Sequence, residues 1–232
     1  MNLGIMQPYF LPYIGYFQLI AAVDTFIVYD NIKYTKKGWI NRNRMLLNGS
    51  DFTFSLPLRK DSDSLDVIHR ELAADFDRNK LLNQFKGAYG RAPQFEANYP
   101  LLERIVRHED ANLFRYIHHS IMQLCEHLGI STEIRISSEV RIDHTLKGQD
   151  RVMALCKAIG ADTYINPIGG IELYAKDDFS IHGVELQFIK ARPFEYAQFG
   201  EPFVPWLSIV DVLMFNPLNT VRACINENYE VI

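Results

Sequence analysis

The amino-acid sequence predicts an α/β fold built on a mostly parallel open sheet, with a helical segment in the middle of the chain. Three observations predict it: short β-branched runs alternate with helical patterns in the first third, helical periodicity dominates the middle third, and the alternation returns in the last third. This alternation is typical of parallel sheets, because crossover helices must cover the sheet faces. We expect a single α/β domain over residues 1–232, with a helical insertion or subdomain at roughly 65–130.

Two parallel strands and the helix between them are predicted in the first third of the chain. The apolar run at 3–6 has strand length, and residues 15–22 place apolar side chains at helical spacing. The run TFIVY, at 25–29, has the β-branched and aromatic composition of a buried strand. Residues 52–58 alternate apolar and polar side chains, which predicts a half-exposed strand after a turn-rich arm.

The middle and last thirds differ in periodicity. Apolar residues recur three and four positions apart over 77–89, 101–107 and 110–128, which predicts helices, and Gly129 is the expected C-terminal stop of the last one. Strands and helices then alternate again. The predicted elements are strands at 132–136, 163–165 and 184–189 and helices at 147–159 and 204–214.

The composition is that of a folded protein with nearly balanced charge. Of 232 residues, 48% are hydrophobic, and 24 Lys and Arg face 28 Asp and Glu, which gives a net charge of −4. This mixture excludes a disordered chain, and without a basic excess we expect no nucleic-acid partner. No apolar stretch reaches the ~18 residues of a membrane span, and no basic region precedes the apolar start. We therefore expect a cytoplasmic protein without a membrane span and with reduced cysteines.

A basic arm at residues 33–44, KYTKKGWINRNR, contains five cations and no acidic residue. Arginine offers a fork of donors to phosphate or carboxylate, and aromatic rings such as Tyr34 offer a face to a planar or sugar ring. The arm therefore predicts a phosphate-bearing ligand, with a solvated loop as the alternative. Its candidate binding residues are Lys37, Trp39, Asn41, Arg42 and Arg44.

The segment QPYFLPYIGY joins the first predicted strand to the first predicted helix, and Gln7, Tyr13 and Tyr16 are its candidate contacts. Ligands of open α/β sheets bind outside the carboxyl ends of strands, and amide groups at a helix start attract anions. Tyr13-Ile14-Gly15-Tyr16 has the spacing of the HxGH signature of nucleotidyltransferases, with tyrosine at both histidine positions. The expected sheet is thus Rossmann-like, with a nucleotidyltransferase-like form as its specific variant. An aromatic corner over the sheet edge is the alternative.

Two later junctions of strand and helix are predicted to reach the same edge of the sheet. DHTLKGQDR, at 143–151, precedes a helix, and NPIGG, at 166–170, follows a strand. His144 is the candidate general base, because it lies beside an aspartate and near a lysine in a turn; a surface or capping pair is the alternative. Glycines let a ligand approach the backbone closely. The other candidates are Lys147, Asn166, Gly169 and Gly170.

Several familiar sites are excluded by their missing motifs. There is no GxSxG, GxxxxGK[ST] or HExxH sequence, which removes α/β-hydrolase, P-loop and zincin sites. His118, His119 and His127 fall on one predicted helix without a carboxylate at metal-binding spacing, and the cysteines form no CxxC pair. We therefore predict no metal site, and the sequence defines no cofactor.

The motifs MQPYFLPYIGYFQLI, KGWINRNR, KGQDRV, INPIGGIELY and PWLSIVDVLMF together resemble the WbqC-like family of bacterial proteins. They extend from Met6 to Phe215 and so cover nearly the whole chain. The resemblance implies a place among genes for surface polysaccharides, where members are associated with modified amino sugars. It implies no catalytic residues beyond the motif positions.

Three functions stay open at this point. The first is an enzyme that attaches an acyl or aminoacyl group to the amine of a nucleotide-linked amino sugar, with His144 as the base and Tyr13 or Asn166 polarising the acyl carbonyl. The second is an ATP-using nucleotidyltransferase or an adenylating, amide-forming ligase. The third is a non-catalytic subunit that binds a nucleotide sugar. The expected partner is a nucleotide-linked sugar or another phosphate-bearing small molecule.

Overall fold

Six strands form one mixed sheet in the computed structural model of the protein, which describes residues 1–200 and 202–232. Their order across the sheet is β5 (Glu133–Ile136), β2 (Thr25–Val28), β1 (Asn2–Met6), β6 (Thr163–Pro167), β7 (Glu185–Ala191) and β8 (Tyr229–Val231). Neighbouring strands are parallel except for β7 and β8, which are antiparallel. The mostly parallel open α/β sheet predicted from the sequence is confirmed.

Eight α-helices connect and flank the strands in the described part of the chain. They are α1 (Ile14–Ala21), α2 (Arg78–Tyr89), α3 (Phe95–Val106), α4 (Leu113–Leu128), α5 (Gly148–Ile159), α6 (Lys176–Ser180), α7 (Ile209–Phe215) and α8 (Leu218–Glu227). Three of them follow one another in the middle of the chain, as the periodicity predicts. None of the helices described here is long and apolar enough to cross a membrane.

The two faces of the sheet bury different cores, because different helices cover them. On one face, Phe17 and Leu19 of α1 join a large core that includes Ile165 of β6 and reaches α4, α7 and α8. On the other face, Leu155 of α5 and Phe179 of α6 belong to a smaller, separate core. All four residues of β2 are buried, as expected for a parallel strand covered on both faces.

A separate antiparallel hairpin, β3 (Arg42–Leu47) and β4 (Ser50–Ser55), takes up part of the predicted turn-rich arm. Its turn is Asn48-Gly49, with φ values of 51° and 77°. These angles suit the type I′ turn that Asn-Gly favours, because the twist of that turn matches the twist of the flanking strands. The basic arm therefore ends inside a strand, and the strand predicted at 52–58 belongs to this hairpin.

Some helix boundaries differ from the sequence prediction. The helix predicted from residue 204 begins only at Ile209, because Trp206 has a positive φ of 62° that a right-handed helix excludes. The Ser208 hydroxyl then caps α7 by accepting a hydrogen bond from a backbone amide at 3.2 Å. α4 likewise starts at Leu113, after the capping residue Asn112. α8 and β8 were not predicted, since short elements give weak periodic signals.

Candidate functional site

The strand order reverses beside β1, which creates a crevice at the carboxyl edge of the sheet. β1 pairs with β2 on one side and with β6 on the other. The order then runs from β1 through β2 to β5 in one direction, and from β6 through β7 to β8 in the other. Open α/β sheets bind ligands outside the strand ends at such a reversal. Gln7 follows β1 and Asn166 lies near the end of β6, so both residues are at this edge.

The loop between β1 and α1 holds the basic arm and the start of α7 at the crevice. Leu11 is fully buried with a φ of 46°, and its carbonyl oxygen accepts hydrogen bonds from Asn43 Nδ2 at 2.5 Å and Ser208 Oγ at 2.7 Å. The amide of Phe10 donates to the Ile40 carbonyl at 2.9 Å. Three segments that are distant in sequence therefore meet at this loop.

Aromatic rings and guanidinium groups gather beside this loop. Trp39 is 39% exposed, and the guanidinium carbons of Arg42 and Arg44 lie 5.3 Å and 5.6 Å from its ring centroid, within cation–π range. The rings of Tyr9 and Trp39 are 6.4 Å apart, and those of Tyr13 and Trp206 are 5.6 Å apart. We define the aromatic–basic cluster as Tyr9, Tyr13, Trp39, Arg42, Arg44 and Trp206.

Backbone oxygens hold both arginines of the aromatic–basic cluster in place. Arg42 Nε donates to the Gly38 carbonyl at 2.8 Å, and Arg42 Nη2 donates to the Lys37 carbonyl. Arg44 donates to the Trp206 carbonyl at 3.1 Å and to a carboxylate of β4 at 3.2 Å. Within the described residues, Arg42 Nη1 has no hydrogen-bond partner, so this nitrogen can donate to an anion.

Other candidates in the basic arm are engaged by the fold. The Tyr34 hydroxyl donates to Asn41 Oδ1 at 2.9 Å, and Asn41 Nδ2 donates to the Leu56 carbonyl at 2.8 Å. Tyr34 is buried, with the guanidinium carbon of Arg70 4.8 Å from its ring centroid. Tyr34 and Asn41 therefore attach the arm to its neighbours. Lys37, by contrast, has an exposed side chain.

The two predicted tyrosine contacts have different environments. Tyr16 is buried, and its hydroxyl donates to the Gln7 carbonyl at 3.0 Å, which ties α1 to the end of β1. The Tyr13 hydroxyl lies over Gly15, where an added Cβ would be only 2.3 Å away, so glycine is required there. Burial raises the pKa of Tyr13 to about 12 and that of Tyr16 well above its ordinary value. Both phenols are therefore neutral donors near pH 7.

Two cavities open at the crevice and share a wall. The inner cavity, about 230 Å³, lies between α1 and the loops after β1 and β6, and Tyr16 and Gly169 line it. The outer cavity, about 380 Å³, lies between the end of β7, the segments at 192–196 and 203–207, and α7. Tyr13 and Ala191 line both cavities. The side chain of Tyr13 thus separates a ligand in one cavity from a ligand in the other.

A second cluster of polar side chains lies in and beside the loops that follow β2 and β5. Asn31 Nδ2 donates to His144 Nδ1 at 3.1 Å, and the Arg151 guanidinium donates to Asn31 Oδ1 and, at 3.0 Å, to the Asn31 carbonyl. Asp30 is fully buried, and its carboxylate accepts from the amide and hydroxyl of Ser138 at 3.0 Å and 2.5 Å. The Ser137 hydroxyl lies 2.8 Å from Asp30 and 2.6 Å from Asn31. We define the His144 network as Asp30, Asn31, Ser137, Ser138, His144 and Arg151.

Arg151 determines how Asn31 faces His144. Arginine only donates hydrogen bonds, so the amide atom of Asn31 that it contacts must be the oxygen, and the nitrogen faces His144. Nδ1 of a neutral His144 then accepts, and the ring proton is on Nε2. Asp143, adjacent in sequence, instead accepts from the amide and hydroxyl of Thr145 at 2.9 Å and 2.7 Å, and these bonds lower its pKa. The imidazole of His144 therefore presents an N–H donor.

The remaining predicted residues have separate positions at the same edge. Lys147 directly precedes α5, and its side chain is exposed. Asn166 is buried, and its Oδ1 accepts from the Tyr164 hydroxyl at 3.3 Å. A Cβ at Gly170 would lie 2.0 Å from Asn166 Nδ2, so glycine at this position makes room for the amide.

The structure divides the candidates between the two faces of the sheet. Tyr9 and Tyr13 of the aromatic–basic cluster contact the core on the α1 face. Tyr29 contacts the core on the α5 face, and the guanidinium carbon of Arg151 lies 4.9 Å from its ring centroid. His144 belongs with Arg151, whereas Trp39, Arg42 and Arg44 belong with Tyr13.

The chain matches a known family over most of its length. A model described as the WbqC-like protein family matches residues 7–223. The chain belongs to the WbqC-like family. The uncharacterized protein Rv1507c of Mycobacterium tuberculosis is 27% identical over 220 residues, which cover 93% of each chain. The aromatic–basic cluster and the His144 network of this WbqC-like protein both lie inside the matched range.

Sequence reasoning missed seven residues of these two regions: Tyr9, Asp30, Asn31, Ser137, Ser138, Arg151 and Trp206. Asn31 follows a predicted strand by two positions, which is a signal that strand-end reasoning can use. Trp206 lay inside the helix predicted at 204–214, so its position in a loop at the site was not expected. The contact between Arg151 and Asn31 spans 120 positions, and no local pattern reports it.

Proposed function

We propose that this WbqC-like protein binds a nucleotide-linked amino sugar at the crevice and transfers an acyl or aminoacyl group to the amine of the sugar. The observation that carries the proposal is the exposed indole of Trp39 with two guanidinium groups beside it. A nucleotide sugar combines phosphates with planar and sugar rings, so it needs cations and an aromatic surface in one place. In a protein of net charge −4, this local concentration of cations favours an anionic ligand.

Arg42 supports phosphate binding because its guanidinium is oriented before a ligand arrives. Two of its nitrogens are anchored to the carbonyls of Lys37 and Gly38, so binding removes little further side-chain freedom. Arg42 Nη1 is then left to donate to a phosphate oxygen. The exposed ammonium group of Lys37 supplies a second, flexible charge.

The transfer step requires a polarised acyl carbonyl and a proton for the leaving group. The amine nitrogen attacks the acyl carbon, the bond to the leaving group breaks, and one proton passes, in net terms, from the amine to that group. Neutral Tyr13 donates to the acyl oxygen in this proposal, with the amide of Asn166 as the alternative donor. His144 lies on the other face of the same sheet edge, so the leaving group must extend along this edge to reach it. Because a neutral imidazole does not give up its proton, His144 donates a hydrogen bond from Nε2 to the leaving group, and the proton of the amine reaches that group through solvent.

An adenylating ligase or nucleotidyltransferase is the second candidate. The Tyr13-Ile14-Gly15-Tyr16 pattern supports it, because the pattern stands between β1 and α1 at the reversal of strand order. Against it, both phenols are neutral, and the Tyr16 hydroxyl is already bonded to the Gln7 carbonyl. Neither tyrosine supplies the positive charge that a leaving phosphate requires.

The experiment measures binding and transfer with defined compounds. In a Trp206→Phe variant, Trp39 is the one remaining tryptophan, so its fluorescence reports binding near the aromatic–basic cluster. We expect UDP- or dTDP-linked amino sugars to change this signal, and uridine without phosphate to leave it unchanged. Transfer is detected by mass spectrometry as a sugar that has gained one acyl group and lost one hydrogen.

The outcomes separate the hypotheses. A protein that binds none of the phosphate-bearing nucleotides contradicts the binding part of the proposal. A protein that binds nucleotide amino sugars but forms no product with any acyl or aminoacyl donor is a binding subunit. Binding of ATP together with exchange of pyrophosphate into ATP favours the adenylating ligase.

A further inference from the structure

The outer cavity has walls made mostly of aromatic and aliphatic carbon. Its volume is about 380 Å³, near the lower end of the usual range for small-molecule sites. The rings of Tyr13 and Trp206, which contact each other, form one side of the cavity. Residues of the segments at 192–196 and 203–207 and of α7 form the rest of the wall. The aromatic and aliphatic lining residues include Tyr13, Phe194, Tyr196, Phe203, Trp206 and Val212, and three charged residues with exposed side chains, Lys190, Arg192 and Glu195, also line the cavity.

A buried carboxylate holds one wall of this cavity in place. Asp211 of α7 is fully buried and accepts hydrogen bonds from the Tyr196 hydroxyl at 2.7 Å, Gln198 Nε2 at 2.8 Å and the Tyr89 hydroxyl at 2.9 Å. Gln198 also accepts from the amide of Val204 at 2.8 Å. The two segments that line the cavity are thus tied to α7 and to each other. These hydrogen bonds hold the walls in place, which reduces the cost of ordering on binding.

The chemistry of the walls selects among possible occupants. The Tyr196 hydroxyl is already bonded to Asp211, and Lys190 at the rim pairs with Glu230 at 3.4 Å. A nucleobase or a sugar brings several polar groups, and burying them without partners is costly. An unsubstituted acyl chain brings none. An apolar cavity of about 150 Å³ accepts benzene, so the outer cavity has room for a chain of roughly four to eight carbons.

The position of Tyr13 connects this cavity with the rest of the site. Tyr13 and Ala191 form the partition between the outer and inner cavities, and the inner cavity contacts the loops after β1 and β6. A group bound on one side of Tyr13 therefore adjoins a group bound on the other. Two substrates that exchange an acyl group need this arrangement, because the reacting atoms must meet while the remaining parts are held apart.

We propose that the outer cavity binds the acyl chain of the acyl donor, with the acyl carbonyl beside Tyr13. The proposal rests on the transfer function proposed above and specifies its donor: a short, apolar acyl group of up to about eight carbons. A donor with a polyhydroxylated acyl group does not suit the aromatic and aliphatic walls.

The test uses primary amides as stable mimics of the acyl group: acetamide, butanamide and hexanamide. Binding to the full-length protein is followed by amide chemical shifts in NMR titrations. Affinity is expected to rise about fourfold for each added methylene, because each one is transferred from water to an apolar wall. The shifted signals are expected to include Phe194, Tyr196 and Phe203.

Trp206→Gly removes one wall of the cavity and should abolish the dependence on chain length. Because Trp206 is 64% exposed and has a φ of 62°, glycine also relieves backbone strain, so the fold should tolerate the change. Asn48→Gly is the matched control: Asn48 has a φ of 51° in the β3–β4 turn, so this variant relieves similar strain outside the cavity. Should Trp206→Gly fail to fold, Phe203→Ala serves the same purpose.

Three results would overturn the acyl pocket: equal affinity for all three amides, unchanged chain-length dependence in both wall variants, or competition by uridine for the same residues. These results differ from failure of the proposed function. Amide binding in the outer cavity without any transfer product contradicts transfer and leaves the pocket standing. Transfer without amide binding contradicts the pocket and leaves the transfer function standing.

Discussion

The aromatic–basic cluster and the His144 network lie at the same edge of the sheet but use their polar groups differently. In the cluster, backbone carbonyls position the guanidinium groups, while the indole of Trp39 and one nitrogen of Arg42 stay available. In the network, the buried carboxylate of Asp30 and the amide of Asn31 are bonded to residues of two other loops. The difference indicates that the first region is a binding surface, whereas the second region orients the imidazole of His144.

The largest effect is expected from His144→Asn, which tests whether the network serves chemistry. Turnover in the transfer assay should fall about 10²–10³-fold, the usual cost of removing one hydrogen-bond donor to developing charge, while affinity for the nucleotide sugar stays the same. Asp143→Asn is the control, because Asp143 is adjacent in sequence yet bonded to Thr145. If both variants keep turnover within about threefold of wild type, far short of that loss, His144 has no catalytic role.

Asn31→Asp sharpens the same point by reversing the proton position on His144. Aspartate keeps an acceptor for Arg151 and replaces the donor that faces Nδ1 with a second acceptor. We expect the imidazole proton to move from Nε2 to Nδ1, as seen in the ¹⁵N shifts of the ring. An Nδ1-protonated ring in the wild-type protein would contradict the orientation of Asn31 described above.

Asp30→Ala should lower the free energy of unfolding by about 1.5–3 kcal/mol, since it removes a buried carboxylate that accepts hydrogen bonds from the Ser137 hydroxyl and from the amide and hydroxyl of Ser138. Urea unfolding measures the change. Lys37→Ala, in the exposed part of the basic arm, should change stability by less than about 0.5 kcal/mol. Equal losses of unfolding free energy in the two variants would contradict the distinction between a region that orients His144 and a region that binds a ligand.

Arg42→Ala should weaken binding of nucleoside diphosphates by about 1.5–3 kcal/mol, the value of a hydrogen bond to a charged group. Arg42→Lys keeps the charge but loses the two bonds to the Lys37 and Gly38 carbonyls, so it separates charge from orientation. Titration calorimetry measures both variants. A drop of roughly ten degrees in melting temperature with unchanged affinity would make Arg42 a structural residue.

The smallest effect is a pH dependence that arises outside both regions. Burial lowers the pKa of His127, with further lowering from Arg222 and Arg104, and its Nε2 lies 3.0 Å from Asn98 Oδ1. The unfolded chain therefore takes up this proton first, so stability is full above the ordinary histidine value of about 6.5 and declines as the pH falls below it.

Urea unfolding of His127→Gln at pH 7.5 and pH 5.5 measures this contribution: the variant should lose less stability on acidification than wild type. His182→Gln, at an exposed position, is the control and should behave like wild type. A steeper loss in His127→Gln would contradict the sign of the effect.

Much of the fold follows from local patterns. The strands β1, β2, β5, β6 and β7 were expected from β-branched or apolar runs, and Gly129 ends α4 in the left-handed conformation, with a φ of 73°, as expected for a C-terminal glycine. Strand β3 and its pairing with β4 were missed, although Asn48-Gly49 is a strong local signal for a hairpin. α7 was placed too early, because apolar spacing does not register the positive φ of Trp206.

The candidate sites were predictable only in part. Strand-end reasoning drew attention to the segments that contain Tyr13, the basic arm and His144. It could not tell that Asn41 and Tyr34 bond to each other, or that Asp143 bonds to Thr145 while Asn31 faces His144. These choices depend on which side chains meet after folding.

By itself, the sequence determined the α/β class, the mostly parallel sheet and the family, because periodicity, strand composition and motif spacing are local properties of the chain. Only the tertiary structure decided which groups act together. Arg44 reaches the Trp206 carbonyl across 162 positions, and Asn31 reaches His144 across 113. Such pairings follow from the direction in which crossover connections leave the sheet, and no short stretch of sequence encodes that direction.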